Sequence, residues 1–383
     1  MCNRAVKCLI NIFAAIAYII NFICINAIAE EKEYADSYVL IEANSKVVIS
    51  SKNENEKVPV GTMAKLMTVL IIAENIENGT IALNDTLKTS AYANSMQGAQ
   101  IWLMQGEEIT VSELLKAVII GNANDAAVVL AEAVSETEEN FTTLMNDYAE
   151  KIGMKNTAFT NCNGYYNDME QISTAYDMAI LCAELAEYDF LQEYFVCWRD
   201  FVRGGETELV NANKLVKSYN GILGFKAGYT DNSGYCISVG AERNDTAYIS
   251  VVLGYEDEDN SLSKAKSLLN MAFSEYTVFT PALPENIPVE ISVKGGLAKT
   301  VALEYEKIRK VVLPNSAVNS VTSKIVITDY VYAPVPKGHK VGEIQYFRNN
   351  KLMFCVDIVT KENINEINIT KSLDIILKKL LTF

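Results

Sequence analysis

Thr62 and Lys65 stand three residues apart in Thr62-Met63-Ala64-Lys65. On the first turn of a helix that spacing puts a hydroxyl and an amine on one side. An amine that has shed its proton there can activate the hydroxyl, which is nucleophilic catalysis without histidine. The chain needs such a route. His339 is its only histidine, in the turn-like stretch Pro336-Lys337-Gly338-His339-Lys340, and a Ser-His-Asp triad or a His-rich metal site would have to use it. Taken alone the Thr/Lys pair is weak, because a hydroxyl residue three before a lysine recurs by chance roughly a few times in such a chain.

The surroundings narrow the reading. Residues 57–68 read Lys-Val-Pro-Val-Gly-Thr-Met-Ala-Lys-Leu-Met-Thr. Asn122-Ala123-Asn124-Asp125-Ala126 lies between two helical stretches, with Leu130-Ala131-Glu132 after it. Lys226-Ala227-Gly228-Tyr229-Thr230 opens a strand pattern ahead of Ser233-Gly234-Tyr235-Cys236, and Asn211-Ala212-Asn213-Lys214-Leu215 precedes it. In order and spacing these segments resemble the SxxK, S-x-N and KTG set of the β-lactam-interacting acyl transferases. From about residue 34 to the C-terminus the chain resembles the low-molecular-mass penicillin-binding proteins, the D-alanyl-D-alanine carboxypeptidases.

The resemblance implies a serine-type D-Ala-D-Ala carboxypeptidase that removes the terminal D-alanine from peptidoglycan stem peptides through an acyl-enzyme. Thr62 would be the nucleophile and Lys65 its general base. Asn122 holds the place of the second motif's serine, a catalytic position, and Asn124 would hold the substrate peptide. Lys226 would supply positive charge for the terminal carboxylate, beside Ala227, Gly228 and Tyr229 on the substrate-binding strand. The backbone N–H groups of Thr62 and Tyr229 would form the oxyanion hole. β-Lactams follow as covalent inhibitors. Nothing calls for a metal or an organic cofactor.

Three positions depart from the family pattern. Threonine replaces serine at 62, and its methyl stiffens χ1 and crowds the attack path. Asn122 can hydrogen-bond but cannot relay a proton as a hydroxyl can. Ala227 removes one donor to the substrate carboxylate. The stretch Tyr255-Glu256-Asp257 is acidic where some relatives carry a basic residue. A second reading is therefore a catalytically weak or inactive relative that binds wall peptides or acts as a membrane-associated scaffold. A β-lactamase is a third, which the C-terminal β domain and tail fit poorly.

These residues need elements to position them. Ser37–Ala43 and Lys46–Ser51 alternate apolar and polar residues around Asn44-Ser45, which predicts a hairpin. Pro59 precedes a helical stretch from Thr62 to Asn78, with Leu66, Val69, Leu70 and Ala73 on one face and Gly79 as its stop. Thr110 and Glu113 have capping-box spacing ahead of a helix Val111–Ile120, and a second helix follows over Ala126–Val134. Strand patterns at Gly234–Ala241 and Ala247–Gly254 precede a last helix, Lys264–Phe279. Strands at both ends of residues 34–281 with helices between them predict a mixed α/β domain with a helical lobe. After the break Pro281–Pro288, residues 288–360 read as a small β domain. In 364–383, Ile369, Leu373, Ile376, Leu377 and Leu380 share one helical face and Lys371, Asp374 and Lys378 the other. That amphipathic tail suits a membrane interface; the alternative is a helix packed on its own β domain.

Residues 1–29 combine Arg4 and Lys7, an apolar run from Cys8 to Cys24, and Ala27-Ile28-Ala29 ahead of Glu30-Glu31. That is the pattern of a cleaved export signal, so the protein is expected outside the cytoplasmic membrane, attached to its outer face. The formal charge of −15 argues against nucleic acid, because phosphate binding needs clustered Lys and Arg. Beyond the leader the cysteines are Cys162, Cys182, Cys197, Cys236 and Cys355, scattered and odd in number, which predicts buried small hydrophobes rather than a disulfide framework. Trp102 and Trp198 are expected as packing aromatics, and Glu256–Asp259 as a solvated loop.

Overall fold

The computed structural model describes residues 36–165 and 171–370, together with Leu373 and Leu377. The leader at 1–29 lies outside the described residues.

An antiparallel sheet forms the centre of the first domain. Its order is Ala227–Thr230, Gly234–Arg243, Thr246–Tyr255, Ser37–Glu42 and Val48–Lys52, with Ile222–Gly224 also pairing with Gly234–Arg243. Both faces are covered, and the alternation of side chains decides which face each residue serves. Val39, Ile41, Ile249, Val251 and Leu253 pack with the helical lobe. Leu40, Val239, Tyr248 and Val252 pack beneath the helix Glu258–Glu275, against Ala265, Leu269 and Ala272. Ala227–Thr230 ends the sheet, so one edge of that strand is open to pair with another chain.

The helix that follows the Thr62 turn runs Lys65–Glu77, and everything from Lys65 to Ala73 is buried. The sequence pattern assigned it a single apolar face. It is instead apolar nearly all round because it threads the middle of the lobe, with Val111–Ile119, Asn124–Ser135, Glu138–Ile152 and Ala175–Leu185 about it. That placement also takes Lys65 out of water.

Several expectations change. The last helix of the domain is Glu258–Glu275, not 264–279. Asp257 caps it by accepting from Asn260 N at 2.8 Å, and Glu258 and Asp259 sit in its first turn, where acidic side chains are favoured. The acidic run is therefore a helix start, not a loop. Tyr276–Phe279, β-branched and aromatic, leaves the helix and pairs with Val311–Pro314. Trp102 is 68% exposed with φ at +55°, so it does not pack. Trp198 lies under the Lys217 ammonium, 4.4 Å from its ring centre. Cys162, Cys182 and Cys236 are buried, Cys197 is half-buried and Cys355 is exposed, and all five are free thiols.

The second domain is a sheet in the order Val321–Ile327, Lys340–Arg348, Lys351–Thr360, Thr300–Tyr305, Glu290–Lys294, Tyr330–Tyr332. Phe354, Val356 and Ile358 alternate inward onto Ile344, Tyr346 and Val301. His339 sits in a turn of this domain, where its backbone N–H donates to Thr360 Oγ1. The tail differs from the helix expected over 364–383 at its start. Ile364 bridges Val335, and Ile367 N donates to Gly295 O, so this part is an extended strap on the β domain. Ile369, Leu373 and Leu377 follow in helical geometry and are exposed; the rest of the expected helix lies outside the described residues. Among those residues no helix is long and apolar enough to cross a membrane.

Candidate active site

The site is built on a 3₁₀ turn, Gly61–Ala64, that runs directly into the helix Lys65–Glu77. In such a turn side chains at i and i+3 eclipse, so Thr62 and Lys65 share a side. The turn is clamped from two directions. Gly61 has φ +48°, and a Cβ built on it would lie 2.7 Å from Ser233 Oγ and 2.8 Å from the Thr230 side chain. A Cβ on Gly164, in the loop below, would come within 1.8 Å of the Gly61 carbonyl oxygen. A third glycine sets the height of Thr62. A Cβ on Gly228 would sit 2.1 Å from Thr62 Oγ1 and 3.7 Å from Asn122 Nδ2. The Thr62 hydroxyl is therefore level with Gly228 on the open edge strand.

Lys65 is fully buried, and burial holds its amine down at about 7, against weaker opposite pulls from Cys162 and Asp125. Its Nζ donates to the Asn163 carbonyl at 2.5 Å. That carbonyl is fixed by its own loop. Asn161 Oδ1 accepts from Asn163 N at 3.2 Å and from Gly164 N at 2.6 Å, and Gln171 Oε1 accepts from Thr160 N and Asn161 N, each at 3.0 Å. Thr68 Oγ1 donates to the adjoining Cys162 carbonyl at 2.6 Å. One loop thus anchors Lys65 and the helix behind it.

Lys226 is also buried, with its Nζ on the Val118 carbonyl at 3.0 Å. Burial pushes its amine well below the ordinary lysine value, and the nearby Lys65 charge pushes the same way. The two lysines border tightly packed space lined by Phe195, Phe225 and Val118, which has no room for a water molecule.

Above them lies an open cleft of about 500 Å³, lined by Thr62, Asn122, Asn124, Tyr165, Tyr229, Thr230 and Asp231, with Gln97 and Ala99 opposite. Asn124 holds that wall: its backbone N–H donates to Ala99 O at 2.7 Å and its Nδ2 to Gln97 O at 2.5 Å. Asp125 accepts from Ile101 N at 3.2 Å and Leu103 N at 3.0 Å, which pins the same loop further along. The side-chain carbonyls of Asn122 and Asn124 are buried and meet no donor among the described residues. Buried acceptors of this kind can accept from a ligand N–H or from water. Asn122 has φ +59°, a conformation asparagine tolerates better than most residues.

Of the residues marked in the sequence, Thr62, Asn122, Asn124 and Tyr229 line the cleft, Gly228 abuts Thr62, and Lys65 and Lys226 lie beneath. Ala227 is placed elsewhere. It lines a cavity of about 190 Å³ behind the edge strand, with Ala212, Tyr235 and Leu262. Sequence reasoning missed Asn163, Gln97, Tyr165 and Asp231. Asp231 had a signal, since it directly follows the 226–230 run; Asn163 acts through a backbone carbonyl that side-chain type does not reveal.

Gly228→Ala is expected to lower turnover by about 100-fold while the protein keeps its melting temperature within a few degrees. The added methyl collides with the hydroxyl on an exposed edge, so it displaces the reacting group more than the core. Steady-state kinetics beside thermal melting check this.

The sequence matches the family profile described as D-alanyl-D-alanine carboxypeptidase over residues 25–257, and the profile described as penicillin-binding protein 5, C-terminal domain, over 279–366. It is 34% identical over 336 residues to D-alanyl-D-alanine carboxypeptidase DacF of Bacillus subtilis, covering 87% of this chain and 86% of that protein. It is 30% identical over 340 residues to DacC of Escherichia coli, covering 87% and 84%. Among solved structures, penicillin-binding protein 5 from Haemophilus influenzae superposes with a TM-score of 0.77 at 24% identity, over 89% of this chain and 100% of that one. Penicillin-binding protein D2 from Listeria monocytogenes in its ampicillin-bound form has a TM-score of 0.57 at 24% identity and covers 63% and 98%. At these identities the likeness to solved structures establishes the fold.

Proposed function

The chain belongs to the D-alanyl-D-alanine carboxypeptidase family, and from that premise we propose that it removes the terminal D-alanine of peptidoglycan stem peptides with Thr62 as nucleophile. The observation that carries this is the Lys65 amine, held at about 7 one turn from the Thr62 hydroxyl. A base poised near neutrality is what proton abstraction at ordinary pH needs.

The peptide lies along the open edge of Ala227–Thr230, with its amide N–H groups donating to the side-chain carbonyls of Asn122 and Asn124. Neutral Lys65 takes the Thr62 proton as Oγ1 attacks the carbonyl carbon of the penultimate D-alanine. The backbone N–H groups of Thr62 and Tyr229 stabilise the oxyanion. The tetrahedral intermediate collapses, the C–N bond breaks, and the Lys65 ammonium returns a proton to the leaving D-alanine nitrogen. Water, deprotonated by the same amine, then hydrolyses the ester on Thr62. The anionic terminus raises the basicity of Lys226 beneath it, so that this amine carries its charge when substrate is bound. β-Lactams acylate the same oxygen. Residues 1–29 serve as the export signal, and the exposed Ile369, Leu373 and Leu377 belong to the segment that attaches the protein to the membrane face.

A second reading, a wall-peptide binder with little turnover, is favoured by Ala227 lying away from the cleft and by Lys226 Nζ being engaged with Val118 O. Free D-alanine measured after incubation with a peptide ending in D-Ala-D-Ala separates the two. Release, with a penicilloyl adduct mapped by mass spectrometry to Thr62, is expected. A folded protein that binds the peptide yet releases nothing would make the binder the correct reading.

A further inference from the structure

Among the described residues that line the cleft, Asp231 is the charged side chain, and it sits at the end of the edge strand opposite Lys226. We propose that Asp231 selects substrates by a side-chain amine on the residue immediately before the D-Ala-D-Ala unit, favouring stems in which that amine is free over stems in which it is already in an amide bond. This rests on the carboxypeptidase reading and adds the part of the substrate that reading leaves open.

Geometry and charge carry the argument. The reacting hydroxyl is level with Gly228. Asp231 is three residues further along, in the turn that follows Thr230, on the rim of the same cleft. A peptide lying on this edge has an anionic terminus on one side of the scissile bond and its remaining chain on the other. The cleft carries a carboxylate at the Asp231 end, which repels an anionic terminus, so charge fixes the direction: terminus away from Asp231, upstream residues toward it. The residue before the penultimate D-alanine has its Cα about 5 Å from the scissile carbonyl, and a lysine-like side chain reaches about 6 Å further. The carboxylate is held in place, since Oδ1 accepts from the Tyr229 hydroxyl at 3.1 Å, and Tyr229 is itself braced on Tyr235 with ring centres 4.6 Å apart. A neutral amide at the same place would meet the carboxylate with no charge to pair.

The test uses the full chain and two peptides, acetyl-L-lysyl-D-Ala-D-Ala with the ε-amine free and the same peptide with that amine acetylated. Release of D-alanine gives kcat/KM for each. The free-amine peptide is expected to be preferred about fivefold, as suits an ion pair at a solvent-open site. The preference should shrink in 0.5 M salt, fall to about one in Asp231→Asn, and return in Asp231→Glu. Equal rates for the two peptides, or a preference that survives in Asp231→Asn, would overturn the inference while leaving the carboxypeptidase reading intact. Release from neither peptide overturns that reading and this one with it.

Discussion

Lys65→Met is expected to abolish D-alanine release, by about 10³- to 10⁴-fold, and at the same time to raise the melting temperature. The loss follows from removing the one amine placed to take the Thr62 proton. The gain follows from linkage. The amine titrates at about 7 in the folded protein and at about 10.4 in an unfolded chain. Below pH 7 both states are protonated and the folded state bears the whole burden of a buried ammonium. Between about 7 and 10.4 the unfolded state binds the extra proton, so stability rises with pH, and above 10.4 the burden is gone. The difference corresponds to on the order of 4–5 kcal/mol at and below neutrality. Methionine removes that penalty but leaves the Asn163 carbonyl without its donor, which costs about 1–3 kcal/mol. The net gain of about 2–3 kcal/mol should raise the melting temperature by about 5–10 °C. The gain should be larger at pH 6 than at pH 10. Wild-type turnover should climb with pH through about 7, as the base loses its proton. A variant that melts at the same temperature at every pH would show that Lys65 is not buried as an unpaired amine.

How the site came to be legible follows from where its information lies. Thr62, Lys65, Asn124 and Lys226 sit in short segments whose order and spacing resemble the family's motifs, so they could be named as candidates before any coordinates. The fold class was equally accessible, because strand patterns at both ends of the first domain and a helical middle leave few alternatives. What could not be read depends on contacts distant in sequence. Lys65 is 98 residues from the carbonyl that receives its proton donor, and its depressed basicity comes from helices packing on every side, not from a local pattern. Gly228 is legible as a motif glycine, yet the reason for it, a hydroxyl 2.1 Å from any added Cβ, appears only when the turn and the edge strand meet. The misplaced last helix has a local cause. Apolar spacing was followed past Glu275 into Tyr276–Phe279, where β-branched and aromatic residues favour a strand once Val311–Pro314 supplies a partner. Ala227 shows the opposite limit, since motif position gave its place on the strand but not which cavity it lines.

Thr62→Ala and Thr62→Ser are expected to move turnover in opposite directions. Alanine removes the attacking oxygen, and turnover should drop by at least about 10³-fold, with whatever remains coming from the oxyanion donors and peptide positioning. Serine keeps the oxygen and removes only the methyl. Threonine has fewer side-chain rotamers open to it than serine, and here the hydroxyl lies close against Gly228. The methyl therefore fixes the oxygen in one position and also narrows the approach to it. Approach should matter more for acylation, because the substrate enters from the open edge while Lys65 below already limits where the proton can go. Thr62→Ser should thus speed acylation several-fold, measured as the rate of penicilloyl adduct formation. It should lower stability by about 1 kcal/mol, the worth of one buried methyl. Slower acylation by the serine variant would mean that the methyl holds the oxygen in its reactive position. Threonine would then be the residue this site is built around, and the crowding argument would fail.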